Sequence, residues 1–490
     1  MPINVLSIQA KSILFLNYLS TLKMNKFYFA DRALLASGWA NNVKICVTDG
    51  VISQIEADQG SHASQDSRPS KDSDPSKEYQ LLAGPVLPGM VNLHSHAFQR
   101  AMAGLAEVCL DPKDSFWSWR DLMYGLVAKL NPEQVGQIAT YLYIEMLKAG
   151  YTQVAEFHYL HHQQSGQAYD NPAEMALQVR QAAINTGIGQ TLLPVLYSYS
   201  GFGGQAPNSG QARFIHDLDA YMHLQEQLGQ NMDPLTHNQG VCFHSLRAVT
   251  KTQMQTALTS LPQDWPVHIH IAEQMKEVND CIAWSGQRPV EWLANEVGFD
   301  ARWCLIHATH VNKQELQTIA KSQAVVGLCP STEANLGDGI FPITDLVAQG
   351  GRLGIGSDSH VCVSVAEELR LLEYGQRLRD QQRNRVYSSD QPSVGDFIYQ
   401  ASAAGGNAAC NINTGLTLGA RADFITLDTS HPLLASAKPE QLINRWTFGI
   451  NHNPIKDVYV AGEQVISSGC HKLEVNASNS LAASLKVLFG

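Results

Sequence analysis

The stretch from Leu87 to His96 reads Leu-Pro-Gly-Met-Val-Asn-Leu-His-Ser-His and contains the first strand of a predicted barrel. Side chains two apart on a strand point to the same side, so His94 and His96 face one common point. Further apolar or β-rich runs follow, and most of them precede a helical pattern. Apolar strands alternating with helices indicate a parallel sheet covered on both faces, and eight of them predict a (β/α)8 TIM barrel. The runs cover residues 90–94, 153–157, 191–196, 240–244, 267–271, 303–306, 324–328 and 353–355.

Residues with metal-ligand chemistry stand at the ends of four of these runs. In a barrel of this kind, the carboxyl ends of the strands form the active site. Several imidazoles with one carboxylate suit Zn²⁺, so the sequence predicts a metal site at this end. The residues are His94 and His96 on the first run, His268, His270 and Glu273 on the fifth, His307 on the sixth and Asp358 on the eighth.

Both ends of the chain outside the barrel read as short strands. They predict a small β-sandwich domain that is built from two distant segments and flanks the barrel. The predicted organisation is an N-terminal extension at 1–25, the first β segment at 26–86 with a flexible polar insert at 57–79, the barrel at 87–412, the second β segment at 413–475 and a C-terminal tail at 476–490.

The composition of the 490-residue chain excludes several classes of protein. Hydrophobic residues make up 44% and charged residues 16%, which argues against global disorder and against a coiled coil. The net charge of −11 gives no sign of a nucleic-acid or anionic-membrane surface. No apolar run reaches the roughly 18 residues of a membrane span. The nine cysteines lack any C-x-x-C pair, which favours reduced thiols in a cytoplasmic protein.

Taken together, these features resemble the amidohydrolase superfamily of metal-dependent deaminases and hydrolases. The resemblance covers roughly residues 26–470. Residues 87–100, 114–120 (Asp-Ser-Phe-Trp-Ser-Trp-Arg) and 243–247 (Phe-His-Ser-Leu-Arg) are similar to the members that act on N-formimino-L-glutamate. The resemblance implies metal-dependent hydrolysis of that compound to N-formyl-L-glutamate and ammonia, in histidine degradation.

The resemblance also implies a single divalent metal ion, with Zn²⁺ as first choice and Fe²⁺ or Mn²⁺ left open. The lysine that bridges two metals in binuclear members is missing, because His244 stands at the end of the fourth strand. His268 competes with His270 as the fifth-strand ligand. We favour His270, since Glu273 follows it in H-x-x-E spacing, and expect His268 to pack in the barrel. The implied ligands are His94, His96, His270 and Asp358.

Three residues carry the implied chemistry. Glu273 would take a proton from the attacking water and deliver it to the departing nitrogen. His307 would stabilise the attacking oxygen or polarise the substrate. Asp358 would bind the metal and also accept a proton from the water.

A substrate with two carboxylates calls for planar, bidentate cations, which arginine supplies. Strand-end position and the resemblance together select Arg120 and Arg247 for this role, while Trp117 and Trp119 would pack the segment that carries Arg120. The full set of predicted substrate-binding residues is Gln99, Arg120, Tyr159, His244 and Arg247.

Two other interpretations stay open at this point. One is a deaminase with the same barrel and metal that acts on another amidine, an aminopurine or a triazine. The other is a non-catalytic relative that kept the barrel as a scaffold, although such proteins typically lose ligands. The resemblance and the prevalence of two-fold oligomers suggest a homodimer. His310 and His360 are left without a role.

Overall fold

A computed structural model describes residues 25–58, 78–109, 115–230 and 232–490. The predicted extension at 1–25 and the predicted insert at 57–79 lie outside the described residues except at their edges. The strands in chain order are β1 Asn25–Leu35, β2 Gly38–Thr48, β3 Val51–Asp58, β4 Tyr79–Leu81, β5 Val86–Pro88, β6 Met90–Ser95, β7 Tyr151–His158, β8 Gly189–Leu196, β9 His237–Gln239, β10 Val241–Ser245, β11 Val267–Ile271, β12 Trp303–His307, β13 Val325–Leu328, β14 Arg352–Ile355, β15 Phe424–Leu427, β16 Ile455–Val460 and β17 Glu463–Ile466.

Helices follow most barrel strands and cover the outside of the sheet. Short 3-10 helices span Ala97–Met102, Ser209–Gln211 and Pro439–Gln441. The α-helices are α1 Phe116–Val127, α2 Pro132–Lys148, α3 Glu174–Thr186, α4 Leu218–Leu228, α5 Lys251–Ser260, α6 Met275–Ser285, α7 Pro289–Glu296, α8 Lys313–Ser322, α9 Pro330–Leu336, α10 Ile343–Ala348, α11 Val365–Asp380, α12 Val394–Cys410, α13 Pro432–Ala435, α14 Leu442–Gly449 and α15 Glu474–Phe489. Among the residues described, no helix is both long enough and apolar enough to cross a membrane.

The predicted barrel is confirmed. Its strands pair in parallel in the order β14-β13-β12-β11-β10-β8-β7-β6, and β9 pairs with β8 beside this path. The seam between the last and first strands is closed at their carboxyl ends by a bridge between Ser95 and Asp358. The Asp358 amide donates to the His94 carbonyl at 3.0 Å, and the His96 amide donates to the Asp358 carbonyl at 3.2 Å. The candidate ligands of the first and eighth strands are therefore held together by the backbone itself.

The structure also confirms that segments from both ends of the chain form the small β domain. Its strand order is β17-β16-β15-β5-β1-β2-β3, with β4 paired to β1. Burial of apolar side chains from both segments gives this sheet a core of its own, in which Tyr28 packs against Phe424 and Tyr459 at ring distances of 5.5 and 5.6 Å. The two segments stabilise each other, since each supplies part of that core.

The last residues of the chain, which the sequence analysis treats as a tail, form helix α15 on the outer face of α2. Ala477, Ser484 and Leu488 are the buried positions of this helix. The Ser484 hydroxyl donates to the Gln137 side chain at 2.5 Å, and Lys129 donates to the Leu488 carbonyl at 3.0 Å. The helix forms because its small and apolar residues recur on one face, a pattern that covers α2.

A buried ion pair joins the β domain to the barrel. Arg421 binds both oxygens of Asp423, at 3.0 and 2.6 Å, and also donates to Gln153 of β7 at 2.9 Å and to the Leu235 carbonyl at 3.0 Å. Both charged side chains are almost wholly buried. Each charge is therefore stable inside the protein only while the other is present.

We expect Arg421→Leu to lower the free energy of unfolding by about 3–5 kcal/mol, because it leaves the Asp423 carboxylate buried without a counter-ion, with only the Ala461 amide donating to it. Urea denaturation followed by circular dichroism measures the change. The matched control is Arg302→Leu, which removes an exposed pair with Asp300 and should cost less than about 1 kcal/mol. Equal losses in the two variants would contradict the prediction.

Candidate active site

Three imidazoles and one carboxylate converge at the carboxyl end of the barrel. His94 lies in β6 and His96 just after it, His270 lies in β11, and Asp358 follows β14. The Nε2 atoms of His94 and His270 are 2.9 Å apart. Asp358 Oδ1 lies 3.5 Å from His94 Nε2 and 3.4 Å from His96 Nε2. All four side chains are buried, so this small space is shared by the four predicted ligands.

The backbone fixes which nitrogen of two imidazoles faces inward. His96 Nδ1 lies 2.8 Å from the Phe157 carbonyl, and His270 Nδ1 lies 2.9 Å from the His244 carbonyl. A carbonyl oxygen only accepts hydrogen bonds, so each Nδ1 carries the proton and donates it. Each Nε2 then presents a lone pair to the centre of the group, as metal-binding histidines do.

This donor set fits a divalent metal. Lone pairs of His96 and His270 and the carboxylate of Asp358 meet in one buried space, and they repel one another unless a cation lies between them. Burial lowers the pKa of His96 to about 3, and burial together with the neighbouring imidazoles holds the pKa values of His94 and His270 well below the usual value. Neutral imidazole is the form that binds a metal.

His307 of β12 stands beside this group among several carboxylates. Its Nε2 lies 3.7 Å from Asp358 Oδ2 and 3.9 Å from Glu273 Oε1, while its Nδ1 lies 3.1 Å from Glu333 Oε1. Burial disfavours the imidazolium, but Glu273, Glu333 and Asp358 outweigh it and raise the pKa of His307 to about 10. His307 therefore faces the space between the metal ligands and Glu273, where the surrounding carboxylates favour its protonated form.

The backbone at these strand ends adopts the left-handed conformation at five non-glycine residues. The φ angles are +52° at Ala272, +67° at His307, +49° at Ala308, +47° at Asp358 and +62° at His360. Such conformations are costly for residues with a Cβ and cluster at functional sites, where the surrounding structure imposes them. Their concentration at the ends of three strands marks this region as the functional end of the barrel.

A cavity opens onto all of these ligands except His94 and contains the two predicted arginines. Arg120 comes from α1, and Arg247 lies just past β10. The Nε atom of each is buried and has no hydrogen-bond partner among the described residues. Both guanidinium groups lie against the Trp117 ring, at 4.6 and 5.8 Å from its centroid. Because unpaired buried donors are costly, the wall of this cavity is suited to an anionic ligand.

The same cavity also contains neutral polar groups. Gln99 Nε2 donates to the Tyr159 hydroxyl at 2.9 Å, and Gln99 Oε1 is buried without a partner. The His244 ring packs on Tyr197 at 4.3 Å and lines the same cavity. All five predicted substrate-binding side chains therefore line this cavity.

Comparison with known proteins agrees with this geometry. A model described as "Amidohydrolase family" matches residues 86–465. The chain belongs to the amidohydrolase family. A second model, described as "Formimidoylglutamate deiminase HutF, N-terminal domain", matches residues 25–69 of this amidohydrolase.

Individual relatives give the same assignment. The formimidoylglutamate deiminase of Pseudomonas aeruginosa is 55% identical over 459 residues, which are 93% of this chain and 98% of that protein. The crystal structure of an amidohydrolase from Brucella melitensis has a TM-score of 0.86 and 44% identity, and covers 95% of this chain and 100% of its own. The structure of an adenosine deaminase from Xanthomonas campestris shares the fold, with a TM-score of 0.74 and 19% identity. The match covers 94% of this chain and 97% of the chain of that structure.

Three other histidines of this amidohydrolase lie outside the four-ligand group. His268 lies deeper in the barrel, where its Nε2 is 2.7 Å from the Ala409 carbonyl, in keeping with the packing role expected for it. His360 is wedged between the first and last strands, 3.2 Å from the Ser95 hydroxyl and 2.9 Å from the Ser357 hydroxyl. His310 lies beyond the end of β12, and its carbonyl accepts from an arginine side chain.

Sequence reasoning missed two buried carboxylates of this amidohydrolase. Glu333 of α9 accepts from His307 Nδ1 and from the Cys329 amide, at 3.1 and 2.9 Å. Glu156 of β7 accepts from the Ser95 hydroxyl at 2.6 Å and the Ala97 amide at 2.7 Å, and so holds the segment that carries His94 and His96. Glu156 could have been recognised as a charged residue inside an apolar strand. A buried carboxylate needs hydrogen-bond or ionic partners, so such a position indicates a structural or functional role.

Proposed function

We propose that this amidohydrolase hydrolyses N-formimino-L-glutamate to N-formyl-L-glutamate and ammonia, a step of histidine degradation. The observation that carries the proposal is the pair Arg120 and Arg247, whose buried, unpaired donors line the cavity next to the metal ligands. The substrate has two carboxylates, and the guanidinium fork matches a carboxylate in geometry and charge. The 55% identity to a formimidoylglutamate deiminase supports the same substrate.

We infer that the four converging side chains hold one divalent metal ion, and that this ion is zinc, because imidazole and carboxylate donors suit it. A metal bound there lowers the pKa of a bound water to roughly 7 and so supplies hydroxide near neutral pH. The residues that would hold it are His94, His96, His270 and Asp358. Potential ligand atoms of His94, His96 and Asp358 lie within 4.8 Å of one another, and His94 also groups in this way with His270 and His307.

The remaining steps belong to side chains of the protein. Glu273 takes a proton from the attacking water, with Asp358 as a second acceptor, and oxygen bonds to the formimino carbon to give a tetrahedral centre. His307 donates a hydrogen bond to the attacking oxygen, because its Nε2 lies between Asp358 and Glu273. The attack breaks the C=N π bond, and Glu273 gives its proton to the terminal nitrogen. The hydroxyl proton of the tetrahedral centre then passes through Asp358 to the same nitrogen, so that the C–N bond breaks, ammonia leaves and the carbonyl of the formyl product forms.

The neutral polar groups of the cavity hold the rest of the substrate. The unpaired Oε1 of Gln99 accepts from a formimino N–H, and Tyr159 keeps the Gln99 amide in place. His244 adds a hydrogen bond beside the carboxylate that Arg247 binds. Cation–π contacts with Trp117 help to orient both guanidinium groups before the substrate arrives.

We expect Arg247→Ala to raise KM for N-formimino-L-glutamate about 100-fold, because hydrogen bonds to a charged group contribute about 1.5–3 kcal/mol. Steady-state kinetics of ammonia release measures the change. Arg302→Ala, at an exposed pair remote from the cavity, is the control and should leave KM unchanged. Unchanged KM and kcat in Arg247→Ala would refute the role of this residue as a carboxylate ligand.

The function itself is tested with purified protein of known metal content. Release of one ammonia per N-formimino-L-glutamate, together with about one metal per chain, is the expected result. A metal-containing protein that releases no ammonia would overturn the substrate assignment. A panel of aminopurines, triazines and other amidines would then identify the alternative.

Two further proposals concern the location and the assembly of the protein. We infer a cytoplasmic protein from its nine cysteines, which include no C-x-x-C pair. We infer a homodimer from the prevalence of two-fold symmetry among soluble oligomers. Light scattering of the purified protein tests the second inference, which a monomeric mass would overturn.

A further inference from the structure

A second cavity lies at the other end of the barrel from the metal ligands. It has a volume of about 300 Å³ and is bounded by α3, by the turn before β8 and by the segment that leads into β9. Ile188 and Thr236 directly precede those two strands, so the cavity faces the amino ends of the strands. It therefore shares no wall with the cavity that contains Arg120 and Arg247.

Arg180 of α3 lines this cavity and has no counter-ion. Only 6% of the residue is exposed, and no carboxylate in the described ranges lies within ion-pair distance of it. Its Nη1 donates to the Leu228 carbonyl, but Nε and Nη2 are buried without any hydrogen-bond partner. Burial without a neighbouring anion lowers the pKa of this arginine to about 10. A charged guanidinium that is buried with two unpaired donor atoms is energetically unfavourable unless a ligand accepts hydrogen bonds from it.

His237 lines the same cavity and has a buried, unpartnered nitrogen of its own. It is 9% exposed, and its Nε2 has no hydrogen-bond partner. The Thr236 hydroxyl donates to the Asp233 carboxylate at 2.9 Å, so it accepts at 2.8 Å from His237 Nδ1. The proton is therefore on Nδ1, and Nε2 offers a lone pair. The cavity thus combines two unpaired donors on Arg180 with one unpaired acceptor on His237.

Asp233 is the one acidic residue among the described residues that line this cavity. Its oxygens are already occupied, since Oδ1 accepts from the Leu235 amide at 3.1 Å and Oδ2 accepts from Thr236. Asp233 therefore holds the segment that carries His237 and does not pair with Arg180.

We propose that this cavity is a binding site for an oxyanion that keeps one O–H group, of the hydrogenphosphate class. Anionic oxygens of the ligand accept from Nε and Nη2 of Arg180 in the bidentate geometry that guanidinium groups favour. The remaining O–H of the ligand donates to His237 Nε2. Such a ligand satisfies all three unpaired atoms at once. The site is independent of the proposed hydrolysis.

The test uses inorganic phosphate and sulfate as probes at pH 8 and constant ionic strength. Phosphate is then mostly HPO₄²⁻, whereas sulfate has no O–H. Isothermal titration calorimetry and thermal denaturation of the metal-loaded protein should show single-site binding of phosphate, with sulfate binding at least several-fold more weakly. Equal effects of the two anions would overturn the role of His237, and no saturable binding would overturn the site.

Two variants assign the binding to these residues. Arg180→Met should weaken phosphate binding about tenfold or more, because both charged donors are lost. Arg352→Met is the matched control, since Arg352 also lies at the amino end of a barrel strand but donates only to the Gln323 and Ala301 carbonyls. Phosphate binding that persists unchanged in Arg180→Met would refute the proposal.

A second pair of variants keeps the proposal testable if Arg180→Met fails to fold. His237→Gln retains a side-chain acceptor and should keep the preference for phosphate over sulfate. His237→Leu removes the acceptor and should abolish that preference while leaving sulfate binding in place. A preference that survives in His237→Leu would contradict the proposed hydrogen bond.

Discussion

The Glu273→Gln variant is expected to lose about 10³-fold in kcat for ammonia release, within the range that a positioned general acid–base group contributes. The amide has nearly the same shape as the carboxylate, but it neither takes a proton from water nor delivers one to the leaving nitrogen. Glu273 follows β11 directly, with its Oε1 3.9 Å from His307 Nε2, so it borders the space where the formimino group would lie. KM is expected to change little.

Measuring the metal content of Glu273→Gln distinguishes a role of Glu273 in proton transfer from a role in supporting the metal ligands. Glu273 is not among the proposed ligands, so Glu273→Gln should retain about one metal per chain and a wild-type melting temperature. Glu226→Gln, on the exposed face of α4, is the matched control and should keep full activity. A Glu273→Gln enzyme with wild-type kcat would remove Glu273 from the mechanism. A variant that lost its metal would indicate that Glu273 supports the ligands instead.

The Asp358→Asn variant is expected to show the larger defect, a loss of about 10⁴-fold or more in kcat/KM, because it removes both a metal ligand and a proton acceptor. Asp358 Oδ1 faces His94 and His96, while Oδ2 faces His307. It is the only anionic side chain of the proposed ligand set. Metal analysis after dialysis should show reduced occupancy.

Chelation of the wild-type protein provides the comparison for this variant. Removing the metal should abolish activity to a similar extent, and Zn²⁺ should restore it in the wild type but only poorly in Asp358→Asn. Asp345→Asn, in α10 outside the cavity, is the control and should behave as wild type. Full activity after Zn²⁺ addition to Asp358→Asn would contradict the assignment of Asp358 as a ligand.

The barrel was predictable from the sequence because each of its strands is buried on both faces. Such strands need continuous apolar runs, as at residues 192–196 and 303–306, and these stand out against the amphipathic helices. The metal ligands were predictable for a related reason. A histidine or aspartate at the end of an apolar strand is conspicuous, and the fold brings strand ends together whatever their distance in sequence.

The partners of those ligands were not predictable, because their contacts join residues far apart in the chain. Glu333 is 26 residues from His307, and Glu156 is 61 residues from Ser95, so neither contact has a local spacing that would reveal it. Arg180 looked like an ordinary helix residue, since burial of a guanidinium without a partner is visible only in three dimensions. Helix α15 was missed because its few buried positions are mostly small residues.

The bridge between Ser95 and Asp358 at the seam of the barrel has a consequence for biosynthesis. The proposed ligand set draws on the first, fifth and eighth strands, so an emerging polypeptide cannot assemble it until about three quarters of the chain has left the ribosome. Metal acquisition would then mark the end of barrel folding, and a truncated or misfolded chain would capture little zinc from the cell. Holding an ion across the seam would thus make maturation all-or-none.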